Sequence, residues 1–257
     1  MKKNTNAIVT IDNNMNPSFI LRNTDISKKS PKVTLIANTH RTVIRVAPLS
    51  KQNKRLTPKI KWRLVQEHFP LGVLLCENTH YFDGCVITGV NEDVFLMVAL
   101  PQDISQAITN MALEEWGSIH RINNLETMED LLFRHFSHLA KNQKRKPTRF
   151  NSQKRVGSCS EDVISGVLPQ WIIFPQDDGY KVLYMDKGLP CGAYYISNRE
   201  GFREAELNRV WEIAAAHNIL VMGCDETDAL WIKEFIQGRD HSTTILTGIK
   251  YPSIIGL

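Results

Sequence analysis

Apolar and polar positions in residues 169–248 alternate in a way that predicts a compact series of strands and helices. An apolar run at 170–174 stops at Pro175, and turn signals near Gly179 and Gly188 separate it from two further β-rich runs. The predicted elements are strands 170–174, 181–185 and 193–196, a helix within 200–217, a strand 219–222, a helix 229–236 and a strand 243–246.

The order of these elements predicts the fold class of the second half of the chain. Three strands, a helix, a strand, a helix and a last strand form the core order of the ribonuclease-H-like and actin-like α/β folds. We therefore expect an α/β chain with mixed sheets and flanking helices.

The first half of the chain predicts a second α/β unit. Short strand-like stretches occur at 7–11 and 19–21, and two stronger ones at 33–37 and 42–46 predict a hairpin around Asn38, Thr39 and His40. The further predicted elements are a helix over 57–68, a strand pair 81–90 and 94–100, a helix capped by Asp103 that runs to 116, a short strand 119–122 and a helix over 125–139 that Asn124 caps.

A basic segment with no acidic residue, at 141–160, interrupts the periodicity and is interpreted as an exposed linker. The predicted organisation is thus bilobal, with an N-terminal lobe at 1–140, the linker at 141–160 and a C-terminal ribonuclease-H-like lobe at 161–257.

The two halves of the chain differ in charge. Residues 1–159 contain 23 Lys and Arg against 13 Asp and Glu, and residues 160–257 contain 8 against 14. Regions of opposite charge favour interactions between the lobes or with different proteins.

Composition restricts the class of protein. Hydrophobic residues make up 42% and charged residues 23% of the 257 positions, as in globular proteins. The longest apolar run, 94–100, is too short to span a bilayer, and the first residues lack the apolar segment of a signal peptide. We therefore expect a cytoplasmic protein. The apolar last residues, 254–257, leave open a membrane segment beyond Leu257.

Metal and disulfide sites are weakly indicated. The five cysteines include no CxxC pair, which favours free thiols over a disulfide scaffold or a zinc site; they are Cys76, Cys85, Cys159, Cys191 and Cys224. His135 and His138 are three positions apart on a predicted helix, but no HExxH motif accompanies them, so we expect no metal.

Two loops are the candidate nucleotide contacts. In an actin-like ATPase, the turn between the first two strands of the second lobe binds phosphate through backbone N–H groups, and the turn after the fourth strand is rich in glycine. Here the first turn contains Asp177, Asp178 and Gly179, and the second contains Gly223 and Asp225. Carboxylates repel phosphate, so both loops are predicted to be degenerate, with no cofactor.

Two alternative functions remain open: an ATP-dependent enzyme and a nucleic-acid-binding protein. An ATP-dependent phosphotransferase or ATPase would place Asp178 and Asp225 near magnesium. A ribonuclease-H-like protein would bind nucleic acid through the basic segment, but strand 171–174 contains no carboxylate for two-metal chemistry. The basic segment contains a single aromatic residue, Phe150, which offers little base stacking, so no specific nucleic-acid partner is expected.

The chain resembles the actin-like cytoplasmic proteins of type IV pilus and type II secretion assembly platforms, the PilM, BfpC and GspL group. The resemblance rests on patterns and their order across most of residues 33–248. The similar segments are 43–49 (VIRVAPL), 60–70 (IKWRLVQEHFP), 94–101 (VFLMVALP) with the helix after it, 119–125, 171–198 and 221–223 (VMG). The group's glycine-containing phosphate strand is missing, since its nearest counterpart at 9–14 has no glycine.

The resemblance implies a bilobal actin-like fold and a non-enzymatic scaffold role. Such a protein would lie at the inner face of the bacterial inner membrane, and would link a motor ATPase to membrane platform proteins. A groove between strands and helices could bind a short tail of a membrane partner. The resemblance assigns no partner-contact residues.

Overall fold

The computed structural model describes residues 5–12, 15–22, 33–49, 56–68, 79–89, 92–117, 122–145, 168–199 and 201–249. The strands are β1 (Thr5–Ile11), β2 (Pro17–Arg22), β3 (Val33–Asn38), β4 (Val43–Leu49), β5 (His80–Thr88), β6 (Asp93–Pro101), β7 (Ile122–Thr127), β8 (Trp171–Gln176), β9 (Gly179–Asp186), β10 (Leu189–Ser197), β11 (Asn218–Met222) and β12 (Thr244–Ile249). The helices are α1 (Pro58–His68), α2 (Gln102–Trp116), α3 (Met128–Arg145), α4 (Arg203–Ala214) and α5 (Glu226–Gln237).

The described strands form three sheets. Sheet A has the order β2-β1-β3-β7, sheet B the order β4-β6-β5, and sheet C the order β10-β9-β8-β11-β12. In sheet A, the β1–β2 hairpin is antiparallel, whereas β3 is parallel to both β1 and β7. Sheet C begins with two antiparallel hairpins and continues with parallel β8, β11 and β12. Sheet B is antiparallel throughout. The predicted mixed sheets are therefore confirmed.

Helix α3 lies at the centre of the molecule because its apolar face contacts all three sheets. Its buried residues Met128, Leu132, Phe133 and Phe136 share one hydrophobic cluster with residues of sheets A, B and C. The other members of this cluster are Ile8, Ile36, Ile44, Ile87, Val94, Leu96, Ile172, Phe174, Leu183, Met185, Leu189, Leu220 and Met222. The two predicted lobes thus share one core.

The remaining helices cover the outer faces of the sheets. Sheet A packs its second face on α2, where Ile104, Ile108 and Ala112 are fully buried. Sheet C packs its second face on α4 and α5, with Leu207 and Ile232 in the shared cluster. Sheet B packs its second face on α1 through Val65. None of the described helices is long and apolar enough to cross a membrane.

The predicted hairpin at 33–46 is wrong. β3 pairs with β1 and β7 in sheet A, whereas β4 pairs with β6 in sheet B. The chain between them, at 39–42, therefore passes from one sheet to another. Alternating apolar residues predict a strand, but they do not specify which neighbour it pairs with. The strand pair β5–β6 and the element order of residues 171–249 are confirmed.

Three predicted boundaries in the first half also differ from the structure. β7 continues to Thr127, so Asn124 lies within the strand and does not cap α3. Asp103 lies inside the first turn of α2, where Pro101 is the N-cap residue. α3 extends to Arg145, so the first residues of the predicted linker are helical. The rest of that segment, 146–160, lies outside the described residues, and the division into domains stays a prediction.

Because α3 packs on both halves, we expect Phe133→Ala to lower the free energy of unfolding by about 3–5 kcal/mol, as for other buried phenylalanines. Phe133 is fully buried in the shared cluster. Urea unfolding followed by circular dichroism and by tryptophan fluorescence measures the change, and we expect one common transition. Phe202→Ala is the matched control, because Phe202 is 61% exposed and its removal should change stability by less than about 0.5 kcal/mol. Two separate transitions in the wild-type protein would contradict a shared core.

Candidate functional site

The first candidate site is the junction, where the β8–β9 turn and β9 meet β1, the 39–42 turn and the start of α3. At its outer end, the Thr10 hydroxyl donates a 2.8 Å hydrogen bond to the Asp177 carboxylate. Burial raises the pKa of Asp177, and the nearby charges of Asp12 and Asp178 raise it further, while the bond from Thr10 opposes the rise. The first predicted loop therefore contacts the end of β1 directly.

Asp178 lies beside two aromatic rings. The Tyr195 hydroxyl donates a hydrogen bond to its carboxylate, and Nδ1 of His40 is 3.9 Å from the same oxygen. The rings of His40 and Tyr195 are 5.2 Å apart between centroids. Burial lowers the pKa of His40 despite the attraction of Asp178, and burial together with the bond to Asp178 raises the pKa of Tyr195. The neutral imidazole and the neutral phenol are thus favoured.

The centre of the junction is a buried ion pair. Lys181 Nζ lies 2.7 Å from Glu129 Oε1, and the two side chains are 4% and 0% exposed. The same ammonium donates a 2.9 Å hydrogen bond to the carbonyl oxygen of Thr42 and a longer one, 3.5 Å, to that of His40. Lys181 on β9 therefore connects α3 with the turn that joins sheets A and B.

Amide side chains complete the junction. The Gln176 side-chain amide donates a 2.5 Å hydrogen bond to Asn38 Oδ1, and Asn38 Nδ2 donates to the carbonyl oxygen of Pro175 at 3.2 Å. A Cβ at Gly179 would lie 2.0 Å from the carbonyl oxygen of Ile196. The glycine in this loop is therefore required by the close approach of β10, which accounts for it without a phosphate.

The second predicted loop follows β11. Gly223 has a positive φ of 69°, and Asp225 caps α5 by accepting a 2.8 Å hydrogen bond from the Asp228 N–H. Arg203 pairs with Asp228 at 3.0 Å, and its guanidinium lies 3.6 Å from the centre of the Trp231 ring. Asp177, Asp178 and Asp225 of the two predicted loops thus each have a protein partner in the structure.

The second candidate site is a groove of about 420 Å³ between sheets A and B. The sequence analysis does not predict it, since its lining residues come from five elements, β5, β6, α2, β7 and α3. The lining residues are Tyr81, Phe82, Asp83, Gly84, Cys85, Leu96, Val98, Leu100, Ser105, Asn124, Leu125, Glu126, Thr127, Asp130 and Arg134.

The pattern of lining residues places the groove at the edges of two strands. Five consecutive residues of β5 (81–85) and four of β7 (124–127) line it, whereas β6 contributes only alternate residues. Successive side chains of a strand point to opposite faces, so a cavity that touches every residue lies along the edge of that strand. Among the described strands, β5 is an edge of sheet B and β7 an edge of sheet A. The groove therefore separates two sheet edges.

Charged groups line the groove where α3 begins. Arg134 Nη2 lies 2.6 Å from Glu126 Oε2 and 2.7 Å from Asp130 Oδ2. The thiol of Cys85 donates to Asp130 Oδ1 at 3.4 Å. Burial, then the charge of Asp130, raises the pKa of Cys85 to about 12, and burial also raises the pKa of Asp130. Cys85 is therefore a neutral thiol at physiological pH, unsuited to nucleophilic chemistry.

The histidine candidates lie on α3, whereas the described cysteines lie on or next to other elements. His135 packs edge-on against Phe136, and burial lowers its pKa. Across the described ranges, no three His, Cys, Asp or Glu side chains are grouped to hold a metal ion. Cys85, Cys191 and Cys224 are free thiols, while Cys76 and Cys159 lie outside the described residues.

Comparisons with known proteins identify the fold. No family model matches the chain, and a search of curated proteins finds no match. A Bacteroides thetaiotaomicron protein with an actin-like ATPase fold is 10% identical, with a TM-score of 0.52 over 98% of this chain and 94% of that one. A protein chain in a PilM-PilN type IV pilus biogenesis complex is 8% identical to this chain, with a TM-score of 0.51 over 96% of this chain and 91% of that one.

A weaker similarity, on which no conclusion rests, is to the cytoplasmic domain of EpsL from the type II secretion system of Vibrio cholerae. It is 8% identical, with a TM-score of 0.42 over 84% of this chain and 81% of that one. The first two similarities confirm the predicted actin-like fold. The second is also, at the level of fold alone, a similarity to a protein of a type IV pilus biogenesis complex.

The ion pair at the junction predicts a large asymmetry between single and double variants. Lys181→Met leaves the carboxylate of Glu129 buried without a counter-charge, and should cost about 3–5 kcal/mol of unfolding free energy. Lys181→Met combined with Glu129→Leu removes both charges and should restore most of that loss. Urea unfolding of the two single variants and the double variant measures the coupling.

The control for this cycle is the exposed pair Arg63–Glu67 on α1, where the two side chains are 79% and 49% exposed. A cycle of alanine variants at this pair should give about 0.3–0.5 kcal/mol. A loss below about 1 kcal/mol for Lys181→Met would show that the junction does not depend on this contact.

Proposed function

We propose that this chain is a non-enzymatic scaffold of a type IV pilus or type II secretion assembly platform. In this role it lies in the cytoplasm at the inner face of the inner membrane, and it connects platform proteins of that membrane to a motor ATPase. The groove between β5 and β7 is where an extended segment of a platform protein binds. The actin-like fold that this chain shares with a protein in a PilM-PilN complex supports the proposal.

The observation that carries the proposal is the position of the groove between two sheet edges. Edge strands present backbone N–H and C=O groups that can pair with an added strand. An extended peptide can therefore gain backbone hydrogen bonds and place alternate side chains into flanking pockets. The lining supplies such pockets through apolar residues, among them Leu96, Val98 and Leu125.

The two edges are not equivalent. At Gly84 of β5, the N–H donates to the Asp83 carboxylate at 2.6 Å, and the carbonyl accepts a 2.7 Å hydrogen bond from Lys61 Nζ. Side chains thus already bind this part of the β5 edge, in the way that charged residues protect natural sheet edges. The edge of β7 is therefore the better place for strand addition, with β5 supplying side-chain contacts.

The junction supports the non-enzymatic part of the proposal. In an actin-like ATPase, phosphates bind between the two lobes, where backbone N–H groups point at them. Here Thr10 bonds directly to Asp177, and the buried pair of Lys181 and Glu129 lies behind them. A triphosphate would have to break these contacts and approach Asp177 and Asp178, which are both acidic. Triphosphate binding is therefore disfavoured both by the contacts that it would break and by the repulsion from these two carboxylates.

The scaffold role predicts recovery of two kinds of partner in the native host. We expect the tagged full chain to co-purify with an inner-membrane platform protein and a motor ATPase of a pilus or secretion system, identified by mass spectrometry. Leu125→Arg places a long charged side chain in the groove and should reduce recovery of the platform protein at least about tenfold, the equivalent of ~1.4 kcal/mol. Recovery of the motor ATPase should be retained if it binds elsewhere on the chain.

The control for this experiment is Ile213→Arg, which adds the same side chain at a position of α4 that is 58% exposed. It should leave recovery of both partners unchanged. Thermal unfolding of the two variants checks that each is folded. Recovery of no pilus or secretion component, or equal recovery with Leu125→Arg, would refute the proposal.

The expectation that the chain does not bind ATP is tested separately by isothermal titration calorimetry. We expect no magnesium-dependent heat of ATP binding at nucleotide concentrations up to about 1 mM, where a weak site would begin to fill. Asp178→Ala should give the same result as wild type. Magnesium-dependent binding that Asp178→Ala abolishes would instead support an ATP-dependent enzyme.

A further inference from the structure

The charged residues of the groove lining are mostly acidic: Asp83, Glu126 and Asp130 against the single base Arg134. On β5, Asp83 precedes Gly84, whose carbonyl accepts a hydrogen bond from the Lys61 ammonium. Where β7 meets α3, Glu126 and Asp130 share the single guanidinium of Arg134. This cluster therefore has two carboxylates for one cation, and a formal charge of −1.

Hydrogen bonding does not supply the missing positive charge. Asn124 Nδ2 donates to Glu126 Oε1 at 2.9 Å, and the Cys85 thiol donates to Asp130 Oδ1. Both donors are neutral. Asp130 is partly buried, and the rise of its pKa by burial indicates that its ionised form lacks the stabilisation it would have in water. A second cation beside Glu126 and Asp130 would stabilise the carboxylate pair, and more strongly here than in bulk water.

A bound metal is a poor source of that charge. Glu126 and Asp130 are already bridged by a guanidinium, and the described residues contain no group of three His, Cys, Asp or Glu arranged around a common point. A cation carried by an incoming peptide needs no such arrangement. It can pair with one carboxylate while Arg134 keeps the other.

We infer that the peptide that occupies the groove is extended, apolar on alternate residues, and carries a positively charged nitrogen that pairs with Asp130 and Glu126. The nitrogen belongs to a Lys or Arg side chain of that peptide. This inference rests on the proposed function, because it takes the groove as the peptide site. It adds the chemistry by which the groove selects its occupant.

Three synthetic probes test the charge requirement on the full chain. The first is an acetylated and amidated eight-residue peptide of alternating valine and threonine with one central arginine. The second replaces that arginine with citrulline, which has the same shape without the charge. The third is the citrulline peptide with a free amino terminus. Binding is measured by fluorescence anisotropy with a dye at the carboxyl end.

We expect the arginine peptide to bind about tenfold more tightly than the acetylated citrulline peptide, since close charge pairs at interfaces contribute at least that much. A gain by the free-amine peptide in place of the arginine peptide would overturn the assignment of the cation to a side chain. Asp130→Asn should reduce the difference to about twofold or less. Arg134→Gln should increase it, because removal of the guanidinium leaves both carboxylates uncompensated.

The matched control is Glu234→Gln, which removes an exposed carboxylate on α5, away from the groove lining, and should leave the tenfold difference unchanged. Equal binding of all three peptides, lost with Leu125→Arg, would overturn the charge requirement while supporting the groove as a peptide site. Failure of every peptide to bind would also overturn the inference, whereas the scaffold role is decided by the co-purification experiment. A tenfold difference that persists in Asp130→Asn would exclude these carboxylates as its cause.

Discussion

The buried pair of Lys181 and Glu129 constrains the arrangement of the whole molecule. Moving two such charges out of water costs several kcal/mol for each ion, so the pair persists only if its partners are held in good geometry. Those partners lie on α3, on β9 and in the turn between β3 and β4, where the carbonyls of His40 and Thr42 accept from the ammonium. The ion pair therefore connects all three sheets at one point. Glu129 also lies in the first turn of α3, where the helix dipole favours a negative charge.

The same helix turn relates the junction to the groove. Glu129 points to Lys181, whereas the next residue, Asp130, lines the groove and pairs with Arg134. Consecutive residues of a helix differ by about 100° in direction, so one turn can serve two sites on different sides. A displacement of the start of α3 would disturb both sites at once. The ion pair of Glu129 thus also helps to position Asp130 in the lining of the groove.

The accuracy of the sequence predictions differs between the two halves. Sheet C and its helices could be predicted because each strand is a short apolar run bounded by turn residues, and the helices show a clear change of period. In the first half, residues 33–46 also alternate as strands do, but their pairing depends on contacts with β1, β6 and β7, which are distant in sequence. The start of α3 was misplaced because Leu125 and Glu126 suit a helix as well as a strand, and pairing with β3 decides for the strand.

Prediction of the candidate site was limited in the same way, because the roles of its residues depend on contacts between distant segments. The acidic character of the loops at Asp177 and Asp225 is a property of local sequence, and it predicts an unfavourable environment for phosphate without knowledge of the fold. Their actual roles, a bond to Thr10 and a helix cap, depend on the fold. The groove left no local signal, because no segment that lines it has a recognisable motif. The nearest hint was the glycine at position 84 within an otherwise regular strand, and glycine inside a strand often marks the close approach of another group. Phe95 provides that approach, since a Cβ at Gly84 would lie 2.4 Å from its ring.

These features together explain how an actin-like fold can serve as a scaffold. A fold does not fix its function, which depends on the sites built on it. Direct contacts connect the halves at the junction, so separating them there to admit a ligand would break a buried ion pair. The proposed peptide site lies instead at the edges of sheets A and B. An open edge invites nonspecific strand pairing, and the β5 edge is protected at Gly84 by Lys61 and Asp83. The edge of β7 lies along the groove, where Glu126, Asp130 and Arg134 together carry a formal charge of −1. In the proposed role, only a peptide that matches both the shape and the charge of this groove gains from entering it.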